Sequence, residues 1–598
     1  MESKKFNSSS EMLAFLEECL SQSNTETALT FCRDECFKEC LETCSWDLIP
    51  LVTKYFSDDV LRNKRDLFNC CEEIVDMIAQ KSPPEEMLLV LIDEAEKLVD
   101  VKLITLLKPI QKTLLRLKSR LDVSVEWCFN SIYRHLLLLP IPEDRNLEGD
   151  ERKLLDSDPS VRRVRNIYSV VMPFYEPFVD LVVDKDSKLN EKQKLSIRTA
   201  ILRSCFRLLG KPLIYMDLES SEEYQSQFYI ICEKLLAHII NLSKNLLCHL
   251  EELDTDNLNN EDVAEILEQL RLSVKSSDSF STDEQVSPIS LGLLYYLVFS
   301  EKIKLDFIPM VYSPLFLLEK CVYLSSILLK SSISLIQRKG LLLSNSVLDR
   351  IYDASAPRYI LESNIYSHFI EGLFLTAVYC NDKDNRTLAV STIGKFLNKF
   401  GPRGQYVLLV KMVDNANHAG LVGYLATLYK TLLNRILSKK ESDDENFFNS
   451  RNVKYLLDKF CDLPHKAATD LVESSDQIIS SLNLIRFLLL RDTENRFGIW
   501  GYINKLNDNF LVPVRDGINL SRAHYEVKLD DLNKEIVQGR SNKSKPAESV
   551  VSITIGNEVL PNMPPAGKLA VIQSAINTFD LIESVLSRVN EIINHHQS

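Results

Sequence analysis

The sequence predicts an all-α protein, a degenerate HEAT-like helical-repeat solenoid in two blocks. Three observations lead there. Apolar residues recur at helical spacing along nearly the whole chain. Glycine supplies only 16 of 598 residues, against a usual share of about 7%, so tight turns and strands are few. Several apolar helix patterns also enclose a proline, which removes one ladder hydrogen bond and bends a helix over its neighbour, as in the first helix of many HEAT repeats.

The first helix is expected after Ser8, whose hydroxyl and the Glu11 carboxylate form a capping box. Leu106, Ile110, Leu114, Leu117 and Leu121 mark one later helix. Leu569, Ile572, Ile576, Phe579, Ile582, Leu586, Val589 and Ile593 mark another. The enclosed prolines are Pro50, Pro109, Pro173, Pro309 and Pro513. Their spacing is irregular and does not hold the ~40 to 47 residue period of a regular array. Only Val550 to Ile555 has the β-branched content of a strand.

Polar, helix-poor stretches at 140–152, 273–288, 439–452 and 529–549 are expected joints. The second is rich in serine and acids, which cannot bury enough apolar area to offset ordering. It separates two leucine-rich blocks, residues 1–280 and 281–598.

Composition excludes several function classes. A formal charge of −14 and a pI near 5.4 argue against general nucleic-acid binding, which needs clustered Lys and Arg. No signal sequence is expected at the N-terminus, where acids interrupt the first apolar stretch. Runs such as 289–299 and 484–490 fall short of the ~20 residues of a membrane helix. The expected setting is the cytoplasm, also the nucleus, and the 14 cysteines are expected as free thiols.

Cys32, Cys36, Cys40 and Cys44 have an eye-catching spacing. Steps of four on one helix trace a slanted stripe, however, and do not converge as a tetrahedral zinc site requires. Packing thiols are the favoured reading. The nine histidines are scattered, and no phosphate-binding, nucleophile-elbow or dinucleotide motif occurs. No catalytic residue, metal or cofactor is expected, and the chain is read as a non-enzyme.

The stretch 478–525 carries the candidate binding residues. Ile478, Leu482, Ile485 and Leu489 form an apolar stripe, which Leu484, Phe487, Leu488 and Leu490 broaden. Ser480, Asn483 and Arg486 form a polar one. A helix apolar over most of its circumference is buried on more than one side, which leaves the polar stripe for a groove. Arg491, Arg496, Phe497, Trp500, Phe510, Arg522, His524 and Tyr525 complete the candidates, since aromatics and arginines are enriched at interfaces. For each aromatic, core packing is the competing reading. For Arg486 and Arg491 it is an ion pair with an acidic neighbour.

The strings SSLNLIRFLLLRDTEN (480–495), GIW (498–500), NFLVPVRDGINLSRAHYE (509–526), SITIGNEVLPNMPP (552–565) and FDLIESVLSRVNEII (579–593) resemble the glomulin family of helical-repeat proteins. Weaker echoes lie at 136–142, 296–319 and 417–424. The resemblance implies a non-enzymatic inhibitor of cullin-RING ubiquitin ligases. Its C-terminal repeats would clasp the RING subunit and cover the face that receives the ubiquitin-conjugating enzyme. It also implies an FKBP-type immunophilin and a receptor tyrosine kinase as partners of the N-terminal half. Neither a membrane nor nucleic acid is an expected partner, and a monomer is expected. The alternative function is a helical scaffold for signalling proteins without control of ubiquitin transfer.

Overall fold

The computed structural model describes residues 9–34, 37, 46–143, 149–187, 189–220, 224–243, 245–251, 253, 286–309, 311–438, 447–541, 553–555, 558–560 and 565–597. The fold is all-α. The strand expected at 550–555 is present as Ile553–Ile555, paired antiparallel with Glu558–Leu560. Ser8 of the expected capping box lies outside the described residues, as do Cys36, Cys40 and Cys44.

Two compact units emerge, residues 1–347 with 380–386, and 348–379 with 387–598. The boundary expected near 280 falls on residues outside the described set.

The helices of the first unit alternate between two rows. Arg65–Lys81, Asp100–Arg116, Pro159–Val183 and Tyr229–Leu242 pack each on the next, and so do Pro84–Ala95, Leu121–Leu137, Glu191–Leu209 and Pro288–Phe299. Neighbours within a row run parallel. Asp76 meets Lys112 (2.7 Å) while the carbonyl of Ser82, further along, accepts from Arg116 (2.9 Å). Glu126 meets Arg203 (2.5 Å) while Asn130 accepts from Arg207 (2.7 Å). This nearest-neighbour packing is the signature of a helical-repeat solenoid.

Two of the expected kinks are built as the prolines dictate. Pro109 lies inside Asp100–Arg116, and Pro173 lies inside Pro159–Val183 together with Pro177. Pro177 has no N–H for the carbonyl of Pro173, four residues back. The adjacent helix supplies a donor instead: Gln111 Nε2 reaches that carbonyl and the carbonyl of Phe174, each at 3.0 Å. Pro309 departs from expectation. It lies in the loop between Pro288–Phe299 and Pro314–Leu329, where Ser313 and Pro314 interrupt the apolar pattern.

In the second unit, Asn364–Tyr379, Pro402–Asn415 and Ser450–Phe460 form one row. Ala419–Ser438, Ser475–Arg491 and Pro565–Gln597 form the other, and Val512–Ser541 packs on the last helix. The joint expected from Leu529 begins later, because Val512–Ser541 continues through it. Leu529 and Leu532 pack with Ile572 and Leu569, so this charged segment has an apolar seam to bury.

Several polar tethers between successive repeats of the second unit share one spacing. Lys399–Asp353, Tyr406–Asn452, Tyr502–Asp458 and Lys505–Asp458 join residues 46, 46, 44 and 47 apart. That is the ~40 to 47 residue period of HEAT repeats, which the prolines did not disclose.

By length and composition, Gly567–His596 is apolar enough to cross a membrane, beyond what the short uninterrupted runs suggested. Its exposed face nevertheless carries Gln573, Asn577, Asp580, Glu583, Arg588 and Glu591. It is an amphipathic helix whose apolar side, Phe579, Ile582, Leu586 and Val589, is buried within the unit.

Candidate protein-docking surface

Ser475–Arg491 is the middle helix of its row. Asp476 in its first turn suits the positive end of the helix dipole. Ile478, Leu482, Leu484, Ile485, Leu488 and Leu489 are buried between Ala419–Ser438 and Pro565–Gln597. Two residues assigned to the apolar arc do not follow: Phe487 is half-buried and Leu490 is 54% exposed. They belong to the accessible face with Asn483, Arg486 and Arg491.

Asp492 ends the helix. It is buried, and its two carboxylate oxygens accept from the backbone N–H groups of Arg496 (2.8 Å) and Phe497 (2.9 Å). Asn495 then takes φ 51°, a left-handed conformation that asparagine tolerates. Gly498 takes φ 63°, and a Cβ there would come within 2.9 Å of the Ser450 hydroxyl. Asp492 was not among the candidates. Its signal was its place at the end of an apolar helix, followed by a polar turn.

The candidate residues separate into three groups. Asn483, Arg486 and Arg491 share the accessible helix face, and neither arginine makes an ion pair among the described residues. Arg486 is half-buried, and its Nε is buried without an acceptor. Trp500, after the turn that follows this helix, stacks on His596 with ring centroids 3.6 Å apart.

A second group serves the fold. Phe497 and Phe510 are buried and are core residues, not surface anchors. Arg496 bonds to Glu494 at 3.0 Å within the turn.

The third group lies on the seam between the last two long helices, which run antiparallel. Arg522 reaches both Asp580 and Glu583 at 2.7 Å. These hydrogen bonds and charges raise the arginine pKa further. Tyr525 stands edge-on to Phe579 at 5.4 Å, and burial raises its phenol pKa. His524 is exposed beside Tyr525.

Next to the docking face, Asp458 accepts from the Tyr502 hydroxyl (2.6 Å) and from Lys505 (3.0 Å). Hydrogen bonds from the Lys505 ammonium to Tyr502 and Asp458 push its pKa up to about 12.

Cys32, Cys70 and Cys71 are buried, and burial pushes the last two up to about 11 and about 12. No group of three potential metal ligands occurs among the described residues. The arrangement can recognise a protein by shape and charge.

A family model described as "Uncharacterised protein family, YAP/Alf4/glomulin" matches residues 15–574. The chain belongs to this family. Human glomulin is 28% identical over 592 residues, 96% of this chain and 92% of the relative. Mouse glomulin is 29% identical over 591 residues, with the same coverage. The likeness therefore extends into the N-terminal region, where the sequence strings were silent. A solved circular tandem repeat protein covers 98% of this chain and 97% of its own, with 10% identity and a TM-score of 0.18, too slight a likeness to bear on the fold. Glomulin is not a known enzyme class.

Proposed function

We propose that this chain is a non-enzymatic inhibitor of cullin-RING ubiquitin ligases. It binds the RING subunit with its C-terminal repeats and keeps the ubiquitin-conjugating enzyme from the same face. It acts where these ligases act, in the cytoplasm and nucleus. Membership of the glomulin family supports the reading.

The observation that carries it is Arg486. A half-buried guanidinium with an unmatched N–H has lost water without gaining an acceptor. An acidic or carbonyl oxygen of a partner would restore the bond. Asn483, Leu490 and Arg491 beside it supply the apolar and polar elements of a docking face.

The test is a ubiquitin-chain assay with the purified full-length protein and a cullin-RING ligase. Inhibition is expected at limiting conjugating enzyme and relief at saturating enzyme. Arg486→Glu and Arg491→Glu should each weaken RING binding about tenfold or more with unchanged helical circular dichroism. Inhibition undiminished at saturating conjugating enzyme would refute competition. Absence of RING binding by the folded chain would refute the function and leave the scaffold reading.

A further inference from the structure

We infer a second docking surface, in the first unit, for a basic amphipathic helix of a partner protein. It is formed by the neighbouring helices Pro84–Ala95 and Leu121–Leu137. On these two helices Leu89, Val123 and Trp127 remain 45%, 63% and 36% exposed.

Side-chain bonds fix the register between them. Glu85 accepts from the Ser119 hydroxyl at 3.0 Å, and Glu96 lies 3.8 Å from Arg134. Leu89, between the two acids, is therefore level with Val123 and Trp127. Scattered apolar side chains on a surface are ordinary, but three in register across adjacent parallel helices make a patch. Tryptophan is the side chain that most often carries binding energy at protein interfaces.

The charge around the patch says what covers it. Glu85, Glu86, Asp93 and Glu96 all stand within two turns of Leu89 on its own side of the helix. Among them only Glu96 has a cationic partner, Arg134, in the ion pairs of the described residues. On the second helix Glu126 is occupied by Arg203 at 2.5 Å. Lys118 and Arg120 are confined to the turn before that helix. An apolar strip with an acidic border matches a helix with leucines on one face and lysines or arginines beside them. A helix with an acidic border would meet like charge.

The chain has three tryptophans, so Trp46→Phe with Trp500→Phe leaves Trp127 as the sole fluorophore of the full-length protein. The probe is a synthetic leucine–lysine amphipathic helix of about five turns. Saturable binding with a blue shift of Trp127 emission is expected, strengthening as salt is lowered. Val123→Lys, and separately Glu86→Lys with Asp93→Lys, should each weaken binding about tenfold or more with unchanged circular dichroism. No shift of Trp127 emission would overturn the proposal. Equal binding by a leucine–glutamate peptide of the same pattern, or full affinity of the lysine variants, would do the same.

Discussion

The two units tether their repeats with the same chemistry at different depths. In the first, Glu94 is 1% exposed and accepts from Thr53 and Lys102, each at 2.8 Å, and from Lys97. Tethers between its helices join residues from 8 to 123 apart. In the second, Asp414 and Asp458 meet Lys459 and Lys505 at exposed positions, and an exposed Asp353 meets the buried Lys399, with a spacing that stays near one repeat in all three. The first unit accommodates insertions of different length and locks the helices with buried charge. The second repeats one geometry and holds two of these three tethers at its surface. Similar distances therefore conceal different energies, because removing one member of a buried pair strands the other charge away from water.

The largest test of that contrast is Glu94→Ala. Lys102 is 14% exposed and would lose its carboxylate, so a loss of about 3 to 5 kcal/mol is expected, measured by urea unfolding. A loss below about 1 kcal/mol would make the buried tether no better than a surface one.

Acid should act next, and on the first unit. Burial favours the neutral form of Asp100, but hydrogen bonds from His135 (2.9 Å) and Arg163 outweigh it and hold the pKa at about 2. A depressed carboxylate contributes stability above its unfolded pKa, about 4, and loses it as pH falls through the folded value. Wild-type stability minus that of Asp100→Asn should be constant above pH 5 and shrink between about pH 4 and pH 2. A difference that does not depend on pH would remove Asp100 from the first unit's locks.

The smallest effect is expected in the second unit. Asp458→Asn removes a carboxylate shared by Lys505 and Tyr502 at an exposed site. The cost should be about 0 to 1 kcal/mol and should fall further at high salt. A cost above about 2 kcal/mol would erase the contrast between the units.

Much of the fold was legible because burial imposes the 3.6-residue period on each helix. The buried set Ile478, Leu482, Ile485 and Leu489 came directly from it. Period alone does not say how many neighbours a helix has, so Phe487 and Leu490 looked like core although one side of that helix stays open. Phe497 and Phe510 look like surface anchors in a polar context, yet the Asp492 turn folds Phe497 inward. Phe510 is carried into the core by the π-helical turn Asn507–Leu511 before Pro513, where the missing proline N–H disrupts the regular ladder. The partners of Arg522 lie on another helix, and only tertiary structure brings them within reach. The repeat period was hidden because it resides in pairings between distant residues and not in any repeated string.

The regular surface tethers of the second unit also have a mechanical meaning. Clips that each cost little to open, set one repeat apart, act as springs in series, and the compliances of such springs add. Small adjustments at successive repeats therefore sum along the row, so the unit can adapt its curvature to a bound surface while each helix pair keeps its own core.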